Sequence, residues 1–224
     1  VLPRVVGGGR IQDLSGTKIT RVELYDEFVE QWLERGKRRV GENEPSPQAK
    51  AAFDTLLDGG FTQTGIDFLK RLAGAIYKEQ AGHPVVEYSR LRDKETWKTA
   101  FFSRDDETHL LREACPLIRN GNQFRFIHQS LLEYCFTLAV FDPQESRSLD
   151  PSLGLVYGKS VDPTSSDGKQ GVPEEESVSN QQPGVDHPLI WRSFVGEPSI
   201  LAFLAERVQQ EPHFKRQLQG MIER

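Results

Sequence analysis

Apolar residues recur at intervals of three and four along "ITRVELYDEFVEQWLERGKRR", the stretch from residue 19 to residue 39. This spacing puts them on one face of an α-helix that packs against a core. Thr20 and Glu23 have the spacing of a capping box at the start of this helix. The apolar pattern decays at Gly36, and the basic residues 37–39 suit a helix C-terminus, so we expect the helix to end near residue 39. The apolar face comprises Val22, Tyr25, Phe28, Val29, Trp32 and Leu33.

Two more long helices are marked by residues that start or stop helices. Ser46 is a predicted N-cap with Pro47 at the first helical position, and Gly59 begins a double-glycine stop. The stretch that follows, "FTQTGIDFLKRLAGAIYKEQAG", has another apolar face of helical period and ends at Gly82. We therefore expect two consecutive helices separated by a short glycine turn.

Shorter elements follow in the next 35 residues. "PVVEYS", residues 84–89, is a β-branched run between turn residues and predicts a strand. Residues 92–102 and 103–115 are predicted to form two helices, the second capped by either Ser103 or Asp105. Proline directly after residue 115 stops that second helix.

The segment "PLIRNGNQFRFIHQSLLEYCFTLAVF" predicts a β-hairpin followed by a buried helix. Asn120-Gly121 gives the hairpin its tip, since Asn-Gly is the strongest short-range hairpin signal. The helix after His128 is apolar on nearly all sides, which is typical of a buried helix. Helices followed by a hairpin and a closing helix predict a mainly α, winged-helix-like domain with a small β-hairpin over residues 20–141.

The composition changes over residues 142–187, which are rich in Pro, Gly, Ser, Asp and Glu. This stretch lacks helical or strand periodicity and holds nine acidic and three basic residues, so we expect a long disordered acidic linker. Residues 188–224 return to helical patterns, with Pro198 and Pro212 each at a helix start. Residues 1–19 have the character of a tail from a preceding domain. The chain is therefore expected to be a fragment of a longer protein.

The chemistry visible in the sequence consists mostly of absences. The formal net charge of −5 and the lack of a basic patch argue against nucleic acid as a partner. Neither a phosphate-binding G-x-x-x-x-G-K-[ST] loop nor a metal-ligand spacing occurs, and "VVGGGR" at residues 5–10 favours a loop. Cys115 and Cys135 are expected to be reduced, buried thiols. No apolar run reaches about 18 residues and no signal peptide opens the chain, so we expect no membrane span. Because no G-x-S-x-G or other nucleophile motif occurs either, we expect this chain to hold no metal or cofactor and to catalyse nothing by itself.

The motif F-x-H-x-S-x-x-E-Y provides a family resemblance. Formed by Phe126, His128, Ser130, Glu133 and Tyr134, it resembles the winged-helix signature that closes the nucleotide-binding module of NACHT-type STAND NTPases. The stretch "TRVELYDEFVEQWLERGKRR" resembles the helix after the NTPase core of fungal members. "WRSFVGEPSILAFLAERVQQEPHFKRQL" is similar to the ARM-like helices that those proteins place before pentapeptide or WD repeats.

The resemblance implies a regulatory role for the chain and a nucleotide contact for His128. In that family the histidine reaches the β-phosphate of ADP, and the P-loop would lie upstream of Val1, so ADP or ATP is expected only in the full-length protein. Leu132 stands where many relatives have Gln. The implied partners are the upstream NTPase domain in cis, proteins that bind the helical surface, and further copies on activation, all in the cytoplasm. A helical interaction scaffold and a winged-helix DNA-binding module are the alternatives.

Overall fold

A computed structural model of the chain describes residues 19–43, 46–93, 96–141, 194, 196–211 and 213–216. The predicted linker at 142–187 and nearly all of the predicted tail at 1–19 lie outside these residues. The chain is mainly helical with a small three-stranded antiparallel sheet. The helices are α1 (Arg21–Glu42), α2 (Pro47–Asp58), α3 (Phe61–Gln80), α4 (Thr96–Phe102), α5 (Asp106–Ala114), α6 (Gln129–Phe141) and α7 (Pro198–Gln210). The strands are β1 (Val86–Glu87), β2 (Leu117–Asn120) and β3 (Gln123–Phe126).

Helix α1 starts as the sequence predicts but continues further. The Thr20 hydroxyl accepts from the Glu23 amide and the Glu23 carboxylate accepts from the Thr20 amide, which completes the capping box. The predicted end near residue 39 lies three residues early, since α1 runs on to Glu42. Gly36 is buried against α5, where an added Cβ would lie 2.4 Å from the Ala114 carbonyl oxygen. The glycine thus allows two helices to approach closely and does not stop α1.

Side-chain caps begin two other helices. The Ser46 hydroxyl accepts from the Ala49 amide at 3.2 Å, with proline at the first position of α2. Of the two candidates for α5, Asp105 is the cap, since its carboxylate accepts from the Thr108 amide at 3.0 Å. Each cap satisfies a backbone donor that the first helical turn leaves unpaired.

The sheet has the order β1-β3-β2. Asn120 pairs with Gln123, so Gly121 and Asn122 form a two-residue loop. Gly121 has a φ of 62° and takes the first loop position, as in a type II′ turn, in which glycine avoids the strain of a positive φ. The predicted hairpin is confirmed, but its loop is Gly121-Asn122 and not the predicted Asn120-Gly121, because Asn120 still pairs in β2. The predicted strand at 84–89 is present as the two residues of β1.

The core lies between α3, α6 and the inner face of the sheet. The rings of Tyr77 and Phe136 are 4.1 Å apart, which joins α3 to α6. Phe124 is buried and its ring lies 4.5 Å from that of Phe102, which joins the sheet to α4. The prediction that α6 is a buried helix is confirmed, since eight of its residues are buried.

Helix α7 packs on α1 and α6. Its buried residues Ile200, Phe203, Leu204 and Arg207 recur at helical spacing on one face. Phe194, which precedes the helix, places its ring 5.2 Å from that of Phe136. The helix therefore closes over the same core that the first six helices form.

Candidate functional site

His128 lies between the end of β3 and the first turn of α6, and its side chain is exposed. Its carbonyl accepts from the Leu131 amide at 3.1 Å, so His128 stands directly before the first turn of α6. The strand is held by pairing on both sides and the helix is held by its buried residues. The imidazole thus projects from a joint between two fixed elements.

The imidazole is oriented by Ser130. Its Nδ1 accepts from the Ser130 amide at 3.2 Å and lies 2.6 Å from Ser130 Oγ. Because an amide can only donate, the contact with the Ser130 amide favours the neutral tautomer that carries its proton on Nε2. Nε2 has no hydrogen-bond partner among the described residues. The ring therefore caps the helix with one nitrogen and offers the other as a donor.

Ser130 is held in turn by Tyr25 of α1. The Tyr25 hydroxyl donates to Ser130 Oγ at 2.6 Å. With one lone pair of Oγ occupied in this way, the serine hydroxyl can direct its own hydrogen to Nδ1 of His128. The three side chains form a line of hydrogen bonds from α1 to the exposed imidazole. Tyr25 could not be recognised in the sequence as part of the site, because it lies 105 positions from Ser130.

This geometry changes the expected chemistry of His128. A histidine at such a joint could also have been a half-buried ring bonded to a carbonyl, but here the ring is exposed and accepts from an amide. The neutral form already presents a donor to an anion, so donation needs no imidazolium. The N-terminus of α6 adds the partial positive charge of the helix dipole. Together these groups can bind an oxygen anion such as a phosphate.

The other motif residues are structural. Phe126 and Tyr134 are buried, and Leu132 is wholly inside the core. A residue at position 132 faces no ligand in this chain, so glutamine there would need a buried partner. Glu133 is half-buried. Of the motif, only His128 and Ser130 reach toward the joint.

A second polar cluster links α7 to α1 and α6. Arg207 donates to Asp26 Oδ1 at 2.8 Å and to the Tyr134 hydroxyl at 3.2 Å, and Tyr134 also donates to Asp26. Burial, with the charge of Asp26, raises the pKa of the Tyr134 hydroxyl well above its ordinary value. Asp26 in α1 and Arg207 in α7 are charged residues placed among the apolar positions of their helices. That placement is the signal in the sequence that could have revealed the Asp26–Arg207 pair.

No family model, curated protein or solved structure matches the chain at a significant level. The NACHT-type assignment therefore stays a prediction. Among the residues that the structure describes, no three His, Cys, Asp or Glu side chains gather so that they could hold a metal ion. Within the same ranges, no helix combines the length and apolarity that crossing a membrane requires.

Proposed function

We propose that the chain is a non-catalytic regulatory segment of a NACHT-like signalling ATPase, in which His128 donates a hydrogen bond to the β-phosphate of ADP. The observation that carries this proposal is the exposed imidazole with Nδ1 occupied and Nε2 left as a donor. A neighbouring NTPase domain supplies the rest of the nucleotide site. Two buried free thiols suit a reducing compartment, so the proposed location is the cytoplasm.

The order of elements supports the proposal. Helix α3, strand β1, helices α4 and α5, and the β2–β3 hairpin follow one another, and β3 lies in the middle of the sheet. We propose that these elements form a winged-helix unit, with the hairpin as the wing. His128 follows the wing directly, where the family motif would have it. Helix α7 is then the first of the ARM-like helices.

The proposed role is conformational. ADP contacts made by His128 stabilise the closed state, and nucleotide exchange removes them so that the helical arm can move and copies can assemble. Such a switch needs a ligand with different affinity for the two states, because equal affinity shifts no population. The hydrogen bond from His128 to the β-phosphate belongs to the closed state, so it gives ADP a higher affinity for that state than for the open one.

The test joins the chain to its native upstream domain and compares ADP affinity for the wild type and His128→Ala. Loss of a hydrogen bond to a charged group, about 1.5–3 kcal/mol, predicts affinity about tenfold to a hundredfold weaker. His128→Asn keeps a helix-capping oxygen but removes Nε2, so it should lower the affinity for ADP as much as His128→Ala does. His109→Ala, at another exposed histidine, should leave affinity unchanged.

An unchanged ADP affinity in His128→Ala would remove the nucleotide contact and leave the helical scaffold as the function.

DNA binding is disfavoured by α5, the second helix of the α4–α5 pair. A recognition helix enters the major groove with its N-terminal residues, but α5 begins with Asp105, Asp106 and Glu107 and is packed against α1 and α2. Salt-dependent retention on duplex DNA would revive that class.

A further inference from the structure

The ring of Tyr25 connects the candidate site to α7. It lies 5.1 Å from the ring of Phe203 on α7 and 5.3 Å from that of Tyr134 on α6. Phe203 and Tyr134 are themselves 5.7 Å apart, so the three rings form one cluster. Each ring comes from a different helix, and Phe203 is buried. The ring of Tyr25 thus packs against α7 as well as against α6.

The hydroxyl of the same tyrosine belongs to the line that orients His128. Tyr25 Oη donates to Ser130 Oγ, and Ser130 Oγ lies 2.6 Å from His128 Nδ1. The aromatic end of Tyr25 therefore contacts α7, and its polar end holds the Ser130 hydroxyl that lies beside Nδ1 of His128. No other side chain is needed to connect the two.

Helix α7 is held in this position by polar contacts on both sides of Tyr25. Glu206 accepts from the Val22 amide at 3.2 Å and pairs with Arg21, so α7 supplies a carboxylate to the first turn of α1. Arg207, itself buried, donates to Asp26, the residue after Tyr25. These contacts give α7 one defined register on α1, because a shift would leave buried polar groups unpaired.

We propose that docking of α7 sets the tautomer and orientation of His128 through Tyr25 and Ser130, so that α7 regulates the anion contact of that histidine. With α7 docked, Phe203 holds Tyr25, the serine hydroxyl is directed to Nδ1, and Nε2 keeps its proton. With α7 released, Tyr25 is free to turn and the imidazole is no longer restricted to one tautomer. By linkage, an anion bound at Nε2 stabilises α7 docking by the same factor.

This inference rests on the proposed function for its biological use, but its test needs no nucleotide. The ¹⁵N chemical shifts of the His128 ring distinguish the two neutral tautomers in the full 224-residue chain. The wild type should show the Nε2-protonated form. Tyr25→Phe keeps the ring against Phe203 and removes only the hydroxyl, so α7 should stay protected from amide exchange while the Nδ1-protonated form rises.

A second variant tests the effect of α7 itself. The double variant Phe203→Ala/Arg207→Ala removes both the ring and the buried charge, and amide exchange across α7 should become about tenfold faster or more. The Nδ1-protonated fraction of His128 should rise together with it. Leu201→Ala is the matched control, since Leu201 is exposed on the same helix and should change neither reading.

Two results would overturn the inference. One is an unaltered His128 tautomer in folded Tyr25→Phe. The other is an unaltered tautomer in the double variant once α7 exchanges fast. Neither result concerns ADP affinity, which the His128→Ala comparison measures in the longer protein, so failure of one idea is separable from failure of the other.

Discussion

At the scale of single residues, the thiols of Cys115 and Cys135 have their chemistry set by the core around them. Both side chains are almost fully buried, and Cys115 Sγ lies 4.0 Å from the Gly65 carbonyl oxygen. Burial raises the pKa of both thiols well above the ordinary value, because the thiolate would lose its hydration. The reactive thiolate is thus suppressed and access to reagents is blocked.

We expect neither cysteine to react with iodoacetamide in the native chain at about pH 8, where an exposed thiol is substantially ionised. Labelling should be at least about a thousandfold slower than in the guanidinium-unfolded chain, since reaction requires opening of the core. Mass spectrometry counts the labels, and unfolded chains should carry two, matching the two cysteines of the sequence. Rapid native labelling of either thiol would contradict the burial described above.

His128 shows what a sequence can reveal about a single site residue. Its place at a joint was predictable, because a hairpin signal and an apolar helix meet there in consecutive residues. The state of its ring was not predictable, because that depends on Ser130 being held by Tyr25, 105 positions away. Local patterns locate a candidate side chain, and distant contacts decide its protonation and direction.

At the scale of elements, helix starts were predicted better than helix ends. Thr20, Ser46 and Asp105 cap their helices through hydrogen bonds within three residues, so the sequence alone contains the whole interaction. The end of α1 was predicted three residues early, because Gly36 and the basic run after it resemble the end of a helix. Gly36 instead makes room for the backbone of Ala114 in α5, a contact that no local pattern in the sequence shows.

Gly36→Ala should destabilise the chain by several kcal/mol, about 2–4, because the new methyl group meets the α5 backbone and the helices must separate. Gly74→Ala is the matched control within another helix. Its added Cβ would lie 3.8 Å from the Ala139 Cβ, an ordinary contact. That variant should be more stable by about 0.5–1 kcal/mol, since alanine favours the helix. Urea unfolding followed by circular dichroism measures both, and equal effects would refute the close approach of α1 and α5.

At the scale of the whole molecule, the main feature is that α7 closes over helices that precede it by many residues. Arg207 and Asp26 are 181 positions apart, yet Arg207 donates hydrogen bonds both to Asp26 and to the Tyr134 hydroxyl. The mainly helical class followed from periodicity, but this packing could not, since a pattern of apolar residues does not say which partner covers them. The pair fixes the register of α7, and the other three buried residues of the helix are apolar.

The hydrogen-bonded pair of Arg207 and Asp26 is expected to contribute to the unfolding free energy of the chain. Arg207→Met keeps the volume of the side chain but removes the donors to Asp26 and Tyr134, so we expect a loss of about 2 kcal/mol in unfolding free energy. Arg21→Met is the control, since its ion pair with Glu206 has an arginine side chain 56% exposed and should contribute at most about 1 kcal/mol. In a double-mutant cycle, Asp26→Asn should cost less in the Arg207→Met background than in the wild type, because its charged partner is already gone. A cycle with no coupling between Asp26 and Arg207 would mean that apolar packing alone positions α7.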